Sequence, residues 1–317
     1  MPRKPSGSRR NAMILSVALL SSAGGAQAHT YGAGIENSQW YVSASIFACS
    51  LTHSIPQFGQ AVFHHEAGEK LRFHLNAQAP LFASGNAALV IEAPPWRPGQ
   101  PVNDLGPVPV SRDAGRVVDL DHRLATQMIQ GMLSGMMPTF TRKAWYGDET
   151  IRVRISGINF ASFYQDYQNC VAGLLPVNFA QVERTSVLFG AGERELDDED
   201  KALLDRVVLY VRADSTVNTL YVDGHTDTAG QRIDNRMVSQ ERAEAVTRYL
   251  VEQGIPSEII TTRYHGDRYP VASNRTAEGR TRNRRATVRL ERKLTPAAED
   301  IAPASQSAAL PATPNGG

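Results

Sequence analysis

Val222-Asp223-Gly224-His225-Thr226-Asp227 leaves the end of a short apolar strand, Thr219 to Val222, and leads through Gly230 into a helix spanning Asp234 to Gln253. Gly254 follows that helix as a left-handed cap, and Pro256 just beyond it cannot continue the turn. The same alternation of strand and helix extends outward on both sides. Val187 to Phe189 forms a strand, and Asp197 to Tyr210 has helical spacing at Leu203, Leu204, Val207 and Tyr210. Ile259 to Tyr264 and Ala286 to Leu290 complete a small mixed sheet with packed helices. From about Ser186 onward the chain is therefore an α/β domain.

Upstream, from about Gln39 to Arg184, the period changes to that of strands. Leu71, Phe73 and Leu75 alternate with Arg72 and His74, and Ile151, Val153 and Ile155 alternate with Arg152 and Arg154. Pro94-Pro95-Trp96-Arg97-Pro98-Gly99 and the run Gly106 to Pro109 punctuate loops, and one helix fits Leu120 to Leu133. The fold class is thus two-domain, with a β-rich half followed by an α/β half. That agrees with 317 residues, more than one core of ordinary size supports.

The ends differ in composition from the body. Arg3, Lys4, Arg9 and Arg10 precede the apolar run Ala12 to Leu20, and Ala26-Gln27-Ala28 offers a small-residue cleavage point. Residues 1–28 read as a secretory signal peptide, too short in its apolar part to span a bilayer, and His29 at the new terminus excludes lipidation there. After Leu294 the chain is Ala, Pro and Ser with few large apolar residues, and residues 294–317 are expected to be a disordered tail. In an oxidising compartment the two cysteines, Cys49 and Cys170, favour one structural disulfide, two buried thiols being the alternative. A formal charge of +1, with 33 basic against 32 acidic side chains, provides no field for a nucleic acid.

Asp227 sits at a strand end, where loops of an open α/β sheet converge on a crevice. Arg242 lies four residues from both Val238 and Val246, on the inward stripe of the helix, where a guanidinium calls for an anionic partner. Facing one crevice, the two could clamp a zwitterionic amino-acid terminus. They could equally pair with each other, or Asp227 could cap the helix.

The surrounding pattern is longer: Gly224-His225-Thr226-Asp227, Asn235, Ser239, Arg242-Ala243, Val246, Gly254, Gly266, Pro270, Asn274, Gly279-Arg280 and Asn283-Arg284-Arg285. Over about Ser186 to Arg292 the sequence closely resembles the OmpA-like peptidoglycan-binding domain. The resemblance implies that Asp227 and Arg242 hold the diaminopimelate of the wall's stem peptide. It implies supporting contacts from Asn235 and Arg285, with His225 and Thr226 shaping the loop.

Ser38-Gln39-Trp40, His53-Ser54-Ile55-Pro56-Gln57-Phe58-Gly59, Ala61-Val62-Phe63 and Pro94 to Gly99 are similar to the MotY family of flagellar motor proteins. That resemblance implies residues 29–184 as a motor-docking domain, 185–293 as the peptidoglycan-binding domain, and a disulfide. Its implied setting is the periplasm, in a ring at the flagellar basal body, with a MotX-like partner and the stator complex nearby. A general envelope anchor with other cargo is the alternative reading. Trp40, Phe58 and Trp96 are expected to be core. An enzyme built on His64, His65 and His74 is disfavoured, since adjacent residues of a strand face opposite sides and no further ligand stands at a metal spacing. No metal, cofactor or catalytic residue is expected.

Overall fold

The computed structural model describes residues 28–112 and 114–293, so the expected signal peptide and tail lie outside the described residues. In chain order the first half contains β1 (Ala28–Tyr31), β2 (Trp40–Ala44), β3 (Ala48–Ile55), β4 (Gly59–Glu66), β5 (Arg72–Ala77), β6 (Gly85–Glu92), β7 (Asn103–Val110) and β8 (Gly115–Leu120). It continues with α1 (His122–Leu133), β9 (Met137–Lys143), β10 (Thr150–Arg154), α2 (Phe160–Ala172) and α3 (Phe179–Val182). The second half contains β11 (Arg184–Leu188), α4 (Asp198–Ala213), β12 (Val217–His225), α5 (Arg232–Glu252), β13 (Ile260–Tyr264), α6 (Ala277–Asn283) and β14 (Arg285–Arg292). Two five-stranded sheets, β1-β10-β9-β6-β7 and β2-β3-β4-β5-β8, and one four-stranded sheet, β11-β14-β12-β13, carry the strands. No helix of the described residues is long and apolar enough to cross a membrane.

The described residues form two compact units, one of 28–40, 53–62 and 73–161, the other of 41–52, 63–72 and 162–293. In the first, the alternation read at Ile151, Val153 and Ile155 is real, and all three are fully buried. The ring of Phe73 stacks on Phe140 at 5.8 Å. Asp121 caps α1 by accepting from the Leu124 amide, and the helix buries Ala125, Met128, Ile129 and Met132. Trp40 and Phe58 are core, but Trp96 is 52% exposed, which corrects the expectation that all three pack.

In the second unit Val187, Phe189, Leu204, Val207, Leu220, Val222, Val246, Leu250, Val288 and Leu290 share one core. Val177 and Val182, before the first strand of the sheet, belong to it, and Phe47 and Phe179 pack on its margin. Cys49 and Cys170 are bonded, with Cα atoms 6.0 Å apart. α4 opens with a reciprocal capping box between Asp197 and Asp200. α5 closes with the Gly254 amide on Val251 O and the Ile255 amide on Leu250 O, Gly254 having φ +82°.

Two helices in the region read as strand-like were not expected, α2 and α3. The aromatic residues of α2 suggest a strand, but its buried positions are Phe160 and Tyr167, two helical turns apart. In α4, Leu203 is exposed and Val208 takes the inward place.

Candidate functional site

β12 lies between β14, antiparallel to it, and β13, parallel to it. Its even-numbered residues Leu220 and Val222 face the core, and Gly224 continues that face against α5. A Cβ on Gly224 would stand 1.9 Å from Ser239 O and 3.1 Å from Ala243 Cβ. Only glycine lets α5 approach this strand end so closely. The Ser239 hydroxyl accepts from the Gly266 amide at 2.9 Å, and the Thr226 amide donates to Gly266 O at 2.9 Å. Strand end, helix and the loop after β13 are thereby locked around residues 225–227.

Asp227 is buried at the mouth of this junction. Its Oδ1 accepts from the Ala229 amide at 2.9 Å, which tightens the loop into α5, and its Oδ2 pairs with Arg284 Nη1 at 3.0 Å. Arg284 is itself fixed by Nε to Phe189 O and by Nη2 to Thr281 Oγ1, both at 2.9 Å.

Arg242 is only 1% exposed, and it does not contact Asp227 by a hydrogen bond. Its Nε donates to Glu193 O at 2.9 Å, Nη1 to His225 O at 3.2 Å and Nη2 to Gly190 O at 3.2 Å. The guanidinium also lies over the Phe189 ring at 4.9 Å. The expected anionic partner is thus replaced by three backbone carbonyls, because the loop after β11 folds over the helix and presents them. Burial, and then the neighbouring charge of Arg284, pushes the Arg242 pKa down to about 10. It remains a cation at neutral pH, in a place where Asp227 is already neutralised by Arg284.

Asn235 and Ser239 lie on the same buried stripe of α5 as Arg242. The Nδ2 of Asn235, the Oγ1 of Thr226 and the Nδ1 of His225 are buried polar atoms without a hydrogen-bond partner among the described residues. Such atoms are costly in a folded interior unless something supplies a partner. The His225 ring stacks on His265 at 5.0 Å, and burial, followed by the positive charge of Arg285, drives its pKa down to about 4.

Arg285 is not brought to Asp227. It is paired in register with His225, while Ala286 is paired with Gly224, so Arg285 leaves the sheet on the face opposite α5. Its guanidinium bonds Tyr269 O and Asn283 O instead. Arg284, one residue earlier, is the arginine that reaches Asp227. Alternation along Ala286, Val288 and Leu290 carried that information, since Arg285 must face away from the core those residues enter. Asn283 accepts from the amides of Val271 and Ala272 and so ties down the loop of residues 270–274.

Asp227, Arg284 and the buried Arg242 thus stand at one strand end beside the unpartnered atoms of Thr226 and Asn235. Such a set suits a guest that brings a carboxylate of its own, together with an ammonium that can compete for Asp227. Among the described residues no three His, Cys, Asp or Glu side chains gather as a metal-binding group.

A profile of the MotY N-terminal domain matches residues 31–176, and one of the OmpA family matches residues 188–284. The sodium-type flagellar protein MotY of Vibrio parahaemolyticus is 30% identical over 276 residues, 83% of this chain and 90% of that protein. Outer membrane protein A of Bordetella avium is 36% identical over 115 residues, 36% of this chain and 59% of that protein. Among solved structures, the peptidoglycan-associated lipoprotein from Burkholderia pseudomallei aligns over 33% of this chain and 89% of its own, at 28% identity and a TM-score of 0.32.

Proposed function

The chain belongs to the family of the flagellar motor protein MotY, and on that premise we propose that it is a non-enzymatic periplasmic anchor that grips the peptidoglycan stem peptide. Its guest is the free amino-acid end of diaminopimelate. Asp227 receives the ammonium, and Arg284 and Arg242 receive the carboxylate. The observation that carries this reading is the Asp227 carboxylate gathered with the guanidiniums of Arg284 and Arg242 at one strand end, next to the unpartnered atoms of Thr226 and Asn235. Binding exchanges the Asp227 to Arg284 pair for charge-assisted pairs with the guest, so Asp227 keeps a cationic partner and Arg284 an anionic one. His225 stays neutral at physiological pH and therefore adds shape without adding charge.

The N-terminal half, in this reading, docks on the flagellar basal-body ring and a MotX-like partner, and the grip on the wall holds the ring and the stator units in place. Sedimentation with insoluble peptidoglycan tests the grip. The full chain should pellet with diaminopimelate-type wall and be released by free diaminopimelate. A chain that pellets equally with wall whose stem peptides have been removed by amidase has no such site. For the motor role, a deletion strain should keep its filaments and lose swimming, whereas unimpaired swimming would leave the general envelope anchor as the better account.

A further inference from the structure

The first unit holds a cavity of about 470 Å³, a volume in the range of small-molecule sites. One wall is α1, which presents Gln127 and Gln130, and the other is the loop bearing Arg97 and Gln100, with Asn103 at the start of β7. The floor is apolar: Ile91 of β6 lies under Gly131, where a Cβ would come within 2.7 Å of the Ile91 side chain. Glycine there brings the helix down onto the sheet and leaves the floor smooth.

The chemistry of the lining is unusual for a solvated groove. Its polar side chains are one guanidinium, one hydroxyl and four carboxamides, with no acidic residue among those that line it. Arg97 donates Nη1 to Ser134 O at 3.2 Å, beyond the end of α1, which fixes the head of the side chain and leaves Nε and Nη2 to a guest. Trp96, the preceding residue on the same loop, is 52% exposed and so leaves its indole face open to a guest. Carboxamides offer a donor and an acceptor together, which suits neighbouring hydroxyl and acetamide groups. A guanidinium fork suits a carboxylate, and a flat exposed aromatic suits the C–H face of a pyranose.

We propose that this cavity is a second wall-binding site, specific for the N-acetylated amino sugar of the glycan strand that carries a carboxylate. It goes beyond the stem-peptide reading, and depends on it only in that the glycan lies within reach of the chain. A peptide ending in a carboxylate would engage Arg97 equally well, but would make no use of the exposed indole.

Titration calorimetry of the full chain tests this with two peptide-free ligands, the disaccharide N-acetylglucosaminyl-N-acetylmuramic acid and neutral chitobiose. The acidic disaccharide should bind at least tenfold more tightly than chitobiose. Gln130→Glu, on the exposed face of α1, should abolish that preference by setting a carboxylate in the cavity that competes for Arg97 and repels the carboxylate of the ligand. Trp96→Ala should weaken both ligands. Arg97→Lys, which keeps the charge near Ser134 O but removes the fork, should lose most of the preference. Asp227→Ala should change none of these values and should lose pelleting with intact wall, so the two sites fail or succeed separately. Equal binding of the two sugars, indifference to Gln130→Glu, or tighter binding of a short peptide with a free C-terminus would each overturn the proposal.

Discussion

The carboxylate of Asp227 is held by Arg284, 3.0 Å away, while Arg242 gives its hydrogen bonds to three backbone carbonyls. The two arginines therefore do different work. Arg284→Gln should weaken pelleting with peptidoglycan by about ten- to a hundredfold, the worth of one charge-assisted bond, and lower Tm as well, because it leaves the buried Asp227 carboxylate without its cation. Arg285→Gln should leave pelleting unchanged, because its side chain leaves the opposite face of the sheet.

Arg242→Ala should lower both binding and stability. It strips partners from Gly190 O, Glu193 O and His225 O and opens a gap beneath the Phe189 ring. The cost should be about 3 kcal/mol, and a drop of about 6 to 12 °C in Tm by calorimetry would report it. A variant that stops binding with an unchanged melt would show that the carbonyl contacts carry no stability.

Gly224→Ala tests the seat of α5 on β12. The added methyl would meet Ser239 O at 1.9 Å, a backbone atom that a rotamer change cannot move. Overpacking of this kind should cost about 1 to 3 kcal/mol, measured by urea unfolding, and should weaken wall binding by displacing the Thr226 loop. Ala at Gly147, where nothing lies within 4 Å, is the control and should be neutral.

Two histidines predict an acid limb of stability. His53, fully buried, holds its Nδ1 at 2.9 Å from Gln39 O while Nε2 accepts from the Ser156 amide at 3.4 Å, so the ring is neutral and proton-poor at Nε2. Burial drives its pKa down to about 4, as it does for His225. Below the unfolded value near 6.5 the unfolded chain takes up protons that the folded chain refuses, so stability is full above that pH and falls as pH drops toward 4. Each residue contributes on the order of 2 to 3 kcal/mol across that window. His53→Gln and His225→Gln should each flatten the pH dependence of Tm between pH 4 and 6.5.

Cutting the chain at residue 185 should yield a less stable fragment than cutting at 174. Val177 and Val182 are buried in the core of the second unit with Val187 and Leu204, and the shorter fragment loses them. Each lost valine should remove about 1.5 to 3 kcal/mol of burial, which equilibrium unfolding of the two fragments would measure.

Much of this was legible in the sequence. The strand, loop and helix from residue 217 to 253 announced themselves because apolar period, Gly254 and Pro256 all agree, and the structure closes α5 with the two bonds such a glycine permits. α6 was hidden: Ala277–Asn283 has no apolar period, and it is held by Thr276 capping Gly279 and by Asn283 reaching back to the preceding loop. The partner of Asp227 was hidden for a different reason. Asn283-Arg284-Arg285 places two identical side chains side by side, and only the register of β14 decides which faces the site. The three carbonyls around Arg242 could not be read at all, since backbone acceptors from a distant loop leave no trace in residue type.

The bond between Cys49 and Cys170 spans 121 positions of the chain. Its consequence is mechanical. Tension that enters at β2 and the start of β3 reaches α2 through one covalent link, and the long stretch between the two cysteines is bypassed. Were the chain pulled at β2 and held at the sheet that bears Asp227, that stretch would carry no load, and the work of pulling would fall on the short run from α2 to that sheet.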